Sequence, residues 1–65
     1  MDLTGLPDLA SAKELAALFS VDRMTISRMC RKGVFPHAFK AGNSWRIPKA
    51  DVEAYLQAQW NRGET

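Results

Sequence analysis

The amino-acid sequence predicts a mainly α domain with one small β-hairpin, running helix, turn, helix, hairpin, helix over a single unit, 1–65. Three observations predict it. Apolar residues recur at helical spacing in three separate segments. Between the second and third segments, short strand-like runs flank the turn-forming stretch Ala41-Gly42-Asn43-Ser44. Ser11, Asp22, Gly33 and Pro36 stand where helices begin or end. The ordered core is expected over 9–60, with flexible termini.

The first helix begins at a capping box. Ser11 is its N-cap, and Glu14, three residues on, reaches back to the Ser11 backbone N–H. Ala12, Leu15, Ala16, Leu18 and Phe19 then form an apolar stripe of about two turns. Ser20-Val21 makes a tight turn, and Asp22 caps a second helix from Arg23 to Lys32. The basic last turn of that helix suits its dipole. Gly33 occupies the position of a left-handed helix end, and Pro36 blocks continuation.

Ala38-Phe39-Lys40 and Trp45-Arg46-Ile47 read as two strands around a four-residue turn, Ala41-Gly42-Asn43-Ser44. Alternation along the strands is expected to place Lys40 and Arg46 on the face opposite Phe39, Trp45 and Ile47. After Pro48 the helical spacing returns in 49–60, with Val52, Tyr55, Leu56 and Trp60 on one stripe. Asp51 and Glu53 lie in the first turn, where the helix dipole favours acids. The tail from Asn61 to Thr65 is expected to fray. This order of elements is a helix-turn-helix followed by a wing.

Composition narrows the functional classes. At 46% hydrophobic the chain is too apolar for a disordered tail, and no apolar run reaches the length that spans a bilayer. The first ten residues lack the basic start and apolar stretch of a secretory signal. Cys30 is the sole cysteine and cannot form an intramolecular disulfide, which fits a reducing cytoplasm. Catalytic motifs are missing: no carboxylate pair, phosphate-cradling glycine loop or nucleophile constellation occurs. Cys30 on an apolar stripe reads as a small hydrophobe, and His37 as a lone surface imidazole without a partner. Neither an enzyme, a metal site nor a cofactor is expected.

The net charge of +2 conceals a segregation. Residues 1–21 and 50–65 each sum to −2, whereas residues 22–49 carry seven cations against Asp22 alone. A basic middle of this kind fits a face for a polyanion. At about 100° per residue, Ile26, Met29 and Cys30 cluster on one side of the second helix. Met24, Thr25, Ser27, Arg28, Arg31 and Lys32 cover the other side, with Arg23 on the flank. A helix of that width fits the major groove of DNA, where base edges are distinguishable.

Each residue then has an expected role. The Arg28 fork matches O6 and N7 of guanine, and Met24 suits a thymine methyl. Thr25 and Ser27 suit a phosphate or a base edge, while Arg31 and Lys32 suit phosphates, which fix register without reading sequence. In the wing, Lys40 and Arg46 add charge. Gly42, Asn43 and Ser44 are small enough to approach a phosphate backbone or enter a minor groove. Trp45 is expected in the core.

The segments S-A-K-E-L-A-A-L-F-S-V-D-R-M-T-I-S-R-M-C-R-K-G-V-F-P and A-F-K-A-G-N-S-W-R-I-P-K-A-D-V-E-A-Y-L resemble the excisionase/MerR-like winged helix-turn-helix family over residues 9–57. Ser20 stands where that family often has glycine. The resemblance implies that the helix of 23–32 enters the major groove while the wing at 41–44 meets the adjacent minor groove or backbone. MerR-type regulators continue into a long dimerisation helix and an effector domain, which this stretch does not reach. It is more similar to phage excisionases, also called recombination directionality factors. Those bind and bend double-stranded DNA at the attachment site, side by side in several copies, and direct a phage integrase toward excision in the cytoplasm of the bacterial host. A small phage or prophage transcription regulator is the alternative within the same family. A protein-interaction module built on Trp60 is the alternative outside it.

Overall fold

Ser11 opens the first helix as its sequence context requires. Its Oγ accepts the Glu14 backbone N–H at 3.1 Å, and Glu14 Oε1 accepts the Ser11 N–H at 2.9 Å, which closes the capping box. The computed structural model describes residues 5–63, with side chains through Trp60. In chain order the elements are β1 (Leu9–Ser11), α1 (Ala12–Phe19), α2 (Arg23–Arg31), β2 (Phe39–Ala41), β3 (Ser44–Pro48) and α3 (Lys49–Gly63). Residues 1–4 and 64–65, where flexible ends are expected, lie outside the described residues.

Both short helices end in the same hydrogen-bonding motif with different residues. After α2, Gly33 N–H donates to the Cys30 carbonyl and Val34 N–H to the Met29 carbonyl, each at 3.1 Å. Gly33 takes φ +83 to make this possible. After α1, Ser20 N–H reaches Ala17 O at 3.3 Å and Val21 N–H reaches Ala16 O at 3.0 Å. Ser20 therefore adopts the left-handed conformation, φ 57 and ψ 45, that the glycine of related turns adopts freely. Asp22 occupies the N-cap position of α2 but makes no side-chain cap bond; its backbone carbonyl accepts from Thr25 and Ile26 instead.

The sheet has three strands, one more than expected. β1 pairs with β3, and β3 with β2, all antiparallel, in the order β1-β3-β2. Leu9-Ala10-Ser11 is too short to show a period of two, so only pairing with β3 identifies it as a strand. The hairpin turn is also tighter than expected. Ala41 pairs with Ser44, leaving Gly42-Asn43 as a two-residue turn rather than four. Only Gly42 of that pair has positive φ, +64, the pattern of a II′ turn with glycine first.

Every element but β2 contributes to one core. Leu15 from α1, Ile26 from α2, Ile47 from β3 and Val52 from α3 are wholly buried, with Phe35 of the α2–β2 loop beside them. Burying each such side chain stabilises the fold by about 1.5–3 kcal/mol. Tyr55 bridges two rings, its centroid 5.9 Å from Phe19 and 5.5 Å from Phe35. Cys30 is a buried free thiol, its pKa raised by desolvation, as a small apolar filler would be.

Three side chains depart from expectation. His37 does have a partner: its Nδ1 lies 2.8 Å from Asp51 Oδ1, and its backbone N–H donates to Oδ2 at 2.6 Å. Asp51 is accordingly buried and ties the α2–β2 loop to the start of α3, rather than only facing the helix dipole. Trp60 leaves the apolar stripe and stands 70% exposed. The helix stripe ends at Leu56, although the helix itself runs on to Gly63, three residues into the stretch expected to fray.

Candidate nucleic-acid interface

α2 carries the densest group of candidate residues, and its geometry follows from its sequence. Ile26 and Cys30 are buried and Met29 is half-buried against the core, which turns the rest of the circumference outward. Met24, Arg28 and Arg31 fall within about 60° of one another and form an exposed ridge. Arg23 and Ser27 lie to one side of that ridge, Thr25 and Lys32 to the other. Arg23, Arg28, Arg31 and Lys32 are all exposed, and α2 contains no acidic residue. Among the described residues the one salt-bridge-length contact to a carboxylate is that of His37 with Asp51, so none of these cations is paired within the fold.

The wing stands beside the Arg23–Ser27 flank. Between them runs an open cleft of about 370 Å³, lined by Arg23, Met24 and Ser27 of α2 and by Asn43, Ser44 and Trp45 of the hairpin. Trp45 is half-buried: one side packs on the core while the ring still lines the cleft. Gly42 lies at the turn, exposed. The first turn of α1 closes the end of the cleft with Ser11, Ala12 and Lys13. Lys13 is a residue that sequence reasoning passed over, because a single lysine beside a capping box carries no signal of its own.

The two wing cations do not share a face. Lys40 pairs with Trp45 and Phe39 pairs with Arg46, and directly opposed residues of an antiparallel pair project to the same side. Lys40 therefore shares the Trp45 and Ile47 side, and Arg46 shares the opposite side with Phe39 and Ser11. The expected grouping of Lys40 with Arg46, and of Phe39 with Trp45, would need the strands to pair one residue out of register. Phe39 is 47% exposed as a result. Arg46 is half-buried on the sheet face it shares with Ser11 and Ser44, close enough to Glu14 to help lower the carboxyl pKa. Hydrogen bonds from the Ser11 backbone and hydroxyl are the larger causes of that lowering. Arg46 is thereby separated from Lys40, the other cation of the wing.

Among the described residues no helix is long and apolar enough to cross a membrane. Residues 11–59 match the family model described as a helix-turn-helix domain, a family that includes excisionase-like DNA-binding proteins. The match takes in α1, α2, the wing and most of α3. No curated protein and no solved structure matches the chain at a significant level.

Proposed function

The chain belongs to the helix-turn-helix domain family, a DNA-binding family, and from that premise we propose that it is a sequence-specific DNA-binding and DNA-bending accessory factor of the excisionase kind, directing a phage integrase toward excision. One observation carries the reading: α2 offers a ridge of exposed, unpaired cations and one methionine, immediately beside a wing.

In this reading α2 lies in the major groove. Arg28 makes the bidentate contact to guanine and Met24 rests against a thymine methyl. Thr25 and Ser27 bond a base edge or phosphate, while Arg31 and Lys32 hold phosphates and set the register. Lys40 and the tip formed by Gly42, Asn43 and Ser44 meet the backbone or the adjacent minor groove. Arg46, half-buried and beside the Glu14 carboxylate, takes no part.

The physics of a small module favours company. With about six charges to neutralise phosphates, one copy binds weakly and with steep salt dependence. Copies bound side by side raise one another's effective concentration. They also share the cost of bending, roughly 1–6 kcal/mol for a site of about 20–30 bp. The role requires binding and shaping of DNA and no catalytic step, cofactor or metal.

A recombination assay with integrase and attachment-site DNA tests the proposal. Added protein is expected to promote excision and suppress integration. DNA binding without an effect on either reaction would leave a transcription regulator of the same fold.

A further inference from the structure

Lys13 lies 10 residues before α2 in the chain, yet it lines the same cleft as Arg23. We infer that this cleft seats one backbone phosphate of the duplex, held between Lys13 of α1 and Arg23 of α2. The inference rests on the DNA-binding reading and adds to it a site and a residue from a third element.

The chemistry of the lining is one-sided. Two cations and the hydroxyl and amide groups of Ser27, Asn43 and Ser44 face the cleft, and no carboxylate does. Glu14, the neighbour of Lys13, is engaged with Ser11 and lines a separate cleft beside Leu6 and Leu18. Both cations are exposed and neither has an ion-pair partner among the described residues. An anion entering the cleft meets two cations and several hydroxyl and amide side chains, and no like charge.

The position also suits a strand of duplex. When α2 occupies a major groove and the wing tip reaches the neighbouring minor groove, the sugar-phosphate strand separating those grooves must pass between the two elements. The cleft is the space between them. Arg23 of α2 and Lys13 of α1 then both hold that strand, which fixes how deeply α2 sits without reading a base.

A salt titration on a short labelled duplex of arbitrary sequence, read by fluorescence anisotropy, decides the matter. The wild-type chain is expected to bind with an affinity that falls steeply with salt. Lys13→Gln should reduce the slope of log K against log salt by about 0.9, the value for one lost phosphate contact. The loss should be the same on a second, unrelated duplex, and Lys13→Arg should restore the wild-type slope. An unchanged slope for Lys13→Gln, in a chain that still binds DNA, overturns the phosphate seat alone. A wild-type chain that binds no duplex overturns the DNA-binding reading and this inference together.

Discussion

α2 and the β2–β3 hairpin are the two basic elements of this domain, and they hold their charge differently. On α2 all three cations are exposed, as is Lys32 at its C-cap, and Arg28 and Arg31 share a ridge with Met24. In the hairpin the two cations are divided between faces, Lys40 beside Trp45 and Arg46 beside Phe39. A helix fixes its faces through covalent spacing alone, since residues three or four apart always fall together. A hairpin fixes its faces through pairing, and a slip of one residue exchanges them. Here the tight Gly42-Asn43 turn fixes which residues of β2 and β3 oppose one another, so the hairpin divides its two cations between faces while Arg28 and Arg31 stay together on α2.

The largest effect that would break this contrast belongs to α2. Arg28→Ala is expected to cost about 1–3 kcal/mol on a preferred duplex and much less on random DNA, measured by titration. Lys32→Ala should weaken both duplexes alike. Equal losses for both variants on both duplexes would mean that Arg28 reads no base and that the ridge is merely electrostatic.

A smaller effect separates the two hairpin cations. Lys40→Ala should lower the salt slope of DNA binding by about 0.9, whereas Arg46→Ala should leave it unchanged. Comparable reductions in both variants would show that the division of faces has no bearing on binding.

The smallest effect sharpens the position of Arg46. The Ser11 hydrogen bonds, with help from Arg46, hold the Glu14 carboxyl below its ordinary 4.5. A carboxyl whose pKa is lower folded than unfolded adds stability above the unfolded value and loses it as pH falls through the folded one. An NMR titration of Glu14 should therefore show a midpoint below 4.5 that rises slightly in Arg46→Ala and stays put in Lys40→Ala. A midpoint that responds to Lys40 instead would contradict the strand register.

Much of the site was legible because it is local. The sides of α2 followed from nine consecutive residues, and its exposed cations lie where their spacing puts them. The wing was legible as a hairpin but not in the direction of its side chains, because Lys40 and Arg46 belong to different strands. Lys13 was not legible at all: it becomes part of the interface only when α1 is packed with its first turn against the space between α2 and the wing. His37 similarly gained its partner from a residue 14 positions away, at the start of another helix.

The sequence by itself determined where α1 begins, where α2 ends and which side of α2 carries charge. Capping bonds, the left-handed Gly33 and the burial stripe all act within about one or two turns of chain. Tertiary structure alone decided that Leu9–Ser11 is a strand, that Asp51 holds His37, that Arg46 and Lys40 take different faces and that Lys13 lines the same cleft as Arg23. Those outcomes depend on which distant segments meet, and that is set by the burial of Leu15, Ile26, Phe35, Ile47 and Val52 in one core.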